Sequence, residues 1–189
     1  MQNAFHIYTD GSFTGHLNYT KKKKNGRARQ QPNSTKAKAG WGVAIFDKGI
    51  PPQNAEDAVV VIGRLLSADP TDTTPSFDGM QRGRATTTAE ANAGANGHVG
   101  ASRKTSNTAE LQAIIEALLF LLAQVDAQRP MIDFHSHILI HTDSRYACGI
   151  IRDGAKTNTN ETMVNIMAHL WKKTRLAYDI RMVWGQGPL

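Results

Sequence analysis

Three carboxylates, Asp10, Glu110 and Asp143, are the residues of this 189-residue chain whose types and placement could do chemistry. Asp10 follows the apolar and aromatic run Ala4-Phe5-His6-Ile7-Tyr8-Thr9, Glu110 opens the strongest amphipathic segment, and Asp143 closes the run Ile138-Leu139-Ile140-His141-Thr142. Each acid stands at an element end. Carboxylates gathered from three such ends repel one another unless they share cations, and hard oxygen ligands with open positions suit Mg²⁺ or Mn²⁺. Two such ions about 4 Å apart can activate water on one side of a phosphodiester and stabilise the leaving oxygen on the other, which is nuclease chemistry.

Every one of these acids also has a plainer reading. Asp10-Gly11 is a turn dipeptide that would stop the first strand. Asn107 followed three residues later by Glu110 has the spacing of a capping box. Asp143-Ser144 caps the next helix. What points past local roles is that all three fall where a single sheet could bring them together.

The elements that must position them can be taken in order. Gly40 to Phe46 and Ala58 to Leu66 read as second and third strands, and three strands in succession predict an antiparallel meander. Leu111, Ile114, Ile115, Leu118 and Leu122 recur at helical spacing and give one wide apolar face that should pack on the sheet. Ile138 to Thr142 is apolar on both faces, as a central parallel strand is. A helix follows through about Arg152 and ends at Gly154. Another begins at Thr159 or Asn160 and carries Met163, Ile166, Met167, Leu170 and Trp171. Tyr178, Ile180, Met182 and Trp184 alternate as a final strand. The order predicts an α/β fold, a mixed five-stranded sheet of meander plus parallel strands with helices on its faces.

One domain is expected over residues 1–189, interrupted by two irregular insertions at about 13–38 and 67–105. The first is basic and acid-free between Thr20 and Lys38, with Lys21, Lys22, Lys23 and Lys24 in a row. The second is rich in Thr, Ala, Gly and Asn. Lys and Arg number 22 against 16 Asp and Glu, a formal charge of +6, so a polyanionic partner is favoured. The single Cys148 excludes an intramolecular disulfide. No signal pattern opens the chain and no apolar run reads as long enough to cross a bilayer, so the expectation is an intracellular protein without a membrane partner, in cytoplasm, nucleus or an organelle. His135, His137 and His141 are read as ordinary loop and strand histidines rather than a zinc site.

Four blocks, in order, carry a resemblance: Tyr8-Thr9-Asp10-Gly11-Ser12, Ala39-Gly40-Trp41-Gly42, Asn107-Thr108-Ala109-Glu110-Leu111-Gln112-Ala113, and Ile140-His141-Thr142-Asp143-Ser144. With them the chain resembles ribonuclease H of the type 1 class, including the domains attached to retroelement reverse transcriptases. The resemblance implies a ribonuclease H-like fold and an endonuclease that hydrolyses the RNA strand of RNA/DNA hybrids. It implies Asp10, Glu110 and Asp143 as catalytic ligands of two Mg²⁺ ions, with Mn²⁺ an alternative. It places Gly11, Ser12 and Asn107 around the hybrid backbone, where 2′-hydroxyl contacts select RNA. Lys21 to Lys24 are expected to add electrostatic contact to the nucleic acid. The family pattern continues past the last strand into a helix with a fourth carboxylate, which has no counterpart in Trp184-Gly185-Gln186-Gly187-Pro188-Leu189. The second ion is therefore expected to bind weakly unless a C-terminal segment or a protein partner completes the site. The alternative is a catalytically impaired module that binds nucleic acid or docks in a larger ribonucleoprotein or reverse-transcriptase assembly.

Overall fold

The computed structural model describes residues 4–14, 22–24, 27–29, 38–46, 58–64, 101, 104–128, 130–154, 157 and 159–185. In chain order these form β1 (Phe5–Thr14), β2 (Lys22–Lys24), β3 (Arg27–Arg29), β4 (Lys38–Phe46), β5 (Val59–Arg64), α1 (Ser106–Val125), β6 (His137–Thr142), α2 (Arg145–Asp153), α3 (Glu161–Ala177) and β7 (Asp179–Trp184). Five strands make one mixed sheet in the order β5-β4-β1-β6-β7. β1 pairs antiparallel with β4 and β4 with β5, while β1–β6 and β6–β7 are parallel. The expected meander and the parallel strands are both present, with three helices among the described residues.

Alternation along β1 divides the sheet into two faces. Phe5, Ile7 and Thr9 are buried, whereas His6 and Tyr8 are partly covered and Asp10 and Ser12 are exposed. In β4, Ala39, Trp41, Val43 and Ile45 are buried. α1 packs on β1 and β4, and α3 packs on α1. Leu111, Ile114, Ile115, Leu118 and Leu121 of α1 are fully buried in one core cluster with Ile7, Ile138 and Ile140. At roughly 1.5–3 kcal/mol for each such side chain removed from water, this helix is a main source of the fold's stability. By length and hydropathy α1 could also cross a membrane, contrary to the expectation that no apolar run is long enough. Its apolarity is that of a core helix covered on most sides.

Two local expectations are corrected. Asp10-Gly11 does not stop β1, because β4 continues to supply partners: Asp10 pairs with Gly42, Gly11 with Trp41, and the ladder runs on to Thr14 and Lys38. The basic insertion is not irregular throughout, since β2 and β3 pair antiparallel as a separate two-stranded sheet. The insertion expected at about 67–105 lies almost wholly outside the described residues.

Candidate active site

The sheet register brings two of the acids level. β1 and β6 run parallel with Tyr8 opposite His141, so Asp10 and Asp143 each lie two residues beyond that last pair. There β1 has lost β6 as a neighbour and keeps only β4, which leaves Asp10 exposed in mid-strand. Asp143 is the first residue past β6 that belongs to neither strand nor helix. The N-cap of α2 is Ser144, whose Oγ accepts from the Ala147 N–H at 3.3 Å, so Asp143 is not the cap that the sequence suggested. Its backbone is instead held from β7: the Trp184 indole N–H donates to the Asp143 carbonyl at 3.2 Å.

Glu110 arrives from the other layer, one turn inside α1. It has no capping role either. The capping box is formed by Thr105 and Thr108, with the Thr108 N–H donating to Thr105 Oγ1 at 3.1 Å and the Thr105 N–H to Thr108 Oγ1 at 2.8 Å. What seats the helix against β1 is Gly11. A Cβ there would fall 2.3 Å from the Glu110 nitrogen and 2.5 Å from the Ala109 carbonyl carbon, so only glycine allows this approach.

Oxygen atoms of Asp10, Glu110 and Asp143 all lie within 4.8 Å of one another. Burial first, then the nearby Asp143 and Asp10 charges, push the Glu110 carboxyl up to about 7 against a backbone hydrogen bond from Gly11 that favours the anion. Glu110 Oε2 is buried and, among the described residues, has no hydrogen-bond partner. A crowded set of three hard oxygen donors, one with an orphaned buried oxygen, fits a divalent cation of the Mg²⁺ or Mn²⁺ type.

A cleft of about 390 Å³ opens beside the acids and is lined by Asp10 and Asp143 together with Tyr8, Gly42, Ala44 and His141. Glu110 is not part of its wall. In the cleft the Tyr8 ring stacks on His141 with centroids 4.4 Å apart, and His6 Nδ1 lies 3.0 Å from His141 Nε2. Burial, then the neighbouring His6, lowers His141 to about 4, so this ring is neutral at physiological pH.

Of the other expected contact residues, Gly11 touches the backbone of Glu110, Ser12 is exposed two positions beyond Asp10 on the same face of β1, and Asn107 is exposed one helical turn before Glu110. Lys22 to Lys24 form β2, and Lys21 lies outside the described residues. His137 Nδ1 lies 2.8 Å from Asp179 Oδ2, and His141 Nε2 lies 3.0 Å from His6 Nδ1. Two residues beside Asp143 escaped the sequence reading. Trp184 is 53% exposed rather than an inward member of an alternating strand, and the Arg145 guanidinium lies 5.3 Å from its ring centroid. Alternation carries no signal for a tryptophan whose role is a hydrogen bond at a strand end.

Comparison with known proteins bears on the same region. The RNase H family model matches residues 71–186, well over half of the chain. The chain belongs to the ribonuclease H family. Glu110 and Asp143 fall inside the matched residues and Asp10 lies before them. No curated protein matches the chain. Among solved structures, ribonuclease H1 of the archaeon Halobacterium salinarum NRC-1 is 14% identical, with 96% of this chain and 86% of that one covered and a TM-score of 0.41. LC11-RNase H1, isolated from compost by a metagenomic approach, is 18% identical, with 96% and 84% covered and a TM-score of 0.45. The same LC11 enzyme in complex with an RNA/DNA hybrid gives 18% identity, 95% and 85% coverage and a TM-score of 0.40. Likeness at this level says nothing about the site.

Proposed function

We propose that this ribonuclease H family member is a metal-dependent endonuclease that hydrolyses the RNA strand of RNA/DNA hybrids, with Asp10, Glu110 and Asp143 as its catalytic ligands. The observation that carries the reading is the convergence of three carboxylates within 4.8 Å, each relieved of the local role its sequence context suggested. Asp10 is not a turn residue, and Glu110 and Asp143 are not caps. Unpaired charge gathered in this way costs stability unless a ligand compensates it.

Bound Mg²⁺ or Mn²⁺ would supply the activation of water and the stabilisation of the leaving oxygen at the phosphodiester. The protein's own part is positional. Asp10 and Asp143 present carboxylates from the sheet along the cleft, and Glu110 closes the set from α1 through the contact at Gly11. Ser12 and Asn107, exposed on either side of that contact, offer a hydroxyl and a carboxamide that can donate to and accept from a 2′-hydroxyl.

The test is single-turnover incubation of the chain with a hybrid labelled on its RNA strand, beside an all-RNA duplex and an all-DNA duplex, in Mg²⁺, Mn²⁺ or chelator. Cleavage of the RNA strand of the hybrid alone, abolished by chelator, is the expected result. A hybrid that is bound and left intact with both metals would instead make the protein a hybrid-binding module.

A further inference from the structure

Arg145 and Trp184 form an exposed pair beside Asp143 that no local role explains. Arg145 is the first residue of α2, where its charge meets the positive end of the helix dipole instead of the negative end that cations favour. Asp143 stands two residues before it, yet among the described residues Arg145 has no carboxylate partner. Its guanidinium lies over the Trp184 ring, 5.3 Å from the centroid. Trp184 is itself about half exposed, so burial does not account for it either.

What holds the pair in place is the backbone of the ion site. Trp184 is paired with Thr142 across β6 and β7, the Gly185 N–H donates to the Thr142 carbonyl at 3.2 Å, and the Trp184 indole N–H donates to the Asp143 carbonyl at 3.2 Å. The indole is thereby fixed by its edge, and its face carries the guanidinium. A guanidinium stacked on a ring keeps the N–H groups in its own plane for an acceptor, and that fork matches the oxygens of a phosphate. The Cα atoms of Asp143 and Arg145 are at most about 7 Å apart, so a phosphate gripped by Arg145 lies close to one held at the acids. Three gathered carboxylates repel a polyanion, and a fixed cation at their edge offsets that repulsion for the incoming strand.

We propose that Arg145, held on the face of Trp184, is a phosphate subsite that grips a phosphodiester of the strand lying at Asp10, Glu110 and Asp143. The proposal rests on the hybrid-ribonuclease reading and deepens it. Because the indole is tied to the Asp143 carbonyl, the subsite keeps a fixed position relative to the carboxylates and sets how the strand lies over them. A contact to phosphate positions the strand without reading its sequence, so the pair adds affinity for a hybrid of any sequence.

The experiment measures hybrid binding by the full chain in chelator over a series of salt concentrations, for the wild type, Arg145→Gln, Trp184→Ala, Trp184→Phe and Lys173→Gln. The last removes an equal charge from an exposed position on α3. Each phosphate contact contributes about 0.9 to the slope of log affinity against log salt on a duplex, so Arg145→Gln should flatten the slope by about 0.9 while Lys173→Gln leaves it nearly unchanged. Trp184→Ala keeps the charge and should keep the slope, but lower affinity about two- to fivefold, the worth of an exposed contact between a cation and a ring. Trp184→Phe, which restores a ring face to Arg145, should recover most of that loss. Equal flattening by Arg145→Gln and Lys173→Gln, or none by either, would overturn the subsite, and unchanged affinity in Trp184→Ala would remove the ring from it. Cleavage by the wild type, measured alongside, reports on the nuclease reading separately. A chain that cuts hybrid but shows no flattening in Arg145→Gln loses the subsite alone, one that shows the flattening without cutting keeps the subsite and loses the nuclease, and one that binds no hybrid loses both.

Discussion

Gly11 and Glu110 are in backbone contact across the boundary between sheet and helix, and a methyl group on Gly11 would sit 2.3 Å from the Glu110 nitrogen. The atoms in the way belong to the helix backbone, so no side chain can turn aside to make room. Gly11→Ala is expected to push α1 off β1, destabilise the protein by about 1–3 kcal/mol or more, and reduce hybrid cleavage because Glu110 moves away from Asp10 and Asp143. Urea unfolding and single-turnover cleavage check both parts. A fully stable and active Gly11→Ala would mean that the helix is not seated as described.

Asp143 and Ser144 are adjacent but do different work, and substitution should separate them. Ser144→Ala removes the cap of α2 and is expected to cost about 1 kcal/mol in stability while leaving cleavage nearly intact. Asp143→Asn should keep or slightly raise stability, because it removes a charge that repels Glu110, and should abolish cleavage. Thermal unfolding and cleavage of both variants decide the assignment, and loss of stability in Asp143→Asn would return that residue to a structural role.

Much of this arrangement could be read from the sequence, and the misreadings share a cause. The apolar run Ile138 to Ile140 and the helical spacing of Leu111 to Leu122 announce β6 and α1, because burial imposes those patterns directly. Asp10-Gly11 looks like a turn because a turn is what that dipeptide does alone, and the competing partners, Gly42 and Trp41, lie about thirty residues away. In Thr105-Ser106-Asn107-Thr108-Ala109-Glu110 two capping pairs of equal spacing overlap, and the helix start selects Thr105 with Thr108. The hairpin β2–β3 was invisible because strands of lysine and arginine have no apolar alternation to detect.

Glu116 gives the fold a pH dependence of its own. It is buried in α1, accepts from Gln112 Nε2 at 2.6 Å, and burial pushes its carboxyl up to about 7 despite that bond. An acid whose pKa is higher folded than unfolded binds more protons in the native state between the two values. Its contribution is complete below the unfolded value near 4.5 and is lost as pH rises through about 7, a loss on the order of 3 kcal/mol. Glu116→Gln keeps an acceptor for Gln112 and should match the wild type at acid pH while becoming the more stable protein above pH 7. The difference in unfolding free energy between the two proteins, taken from acid to alkaline pH, isolates Glu116 from His141, whose lowered pKa acts with the opposite sign. A difference that does not change with pH would show that Glu116 is not titrating in the core.

The central claim is that Asp10, Glu110 and Asp143 act as one ion-holding unit on an RNA/DNA hybrid. Its most direct measurement is the single-turnover rate of RNA-strand cleavage in Mg²⁺ for the wild type and for Asp10→Asn, Glu110→Gln and Asp143→Asn. Loss of residues that merely support metal ligands costs 10–100-fold, so loss of a ligand itself should slow cleavage by about a hundredfold or more in every variant, with hybrid binding in chelator retained. Cleavage by Asp10→Asn at the wild-type rate would contradict the account, since the reaction would then be run from somewhere other than these three carboxylates.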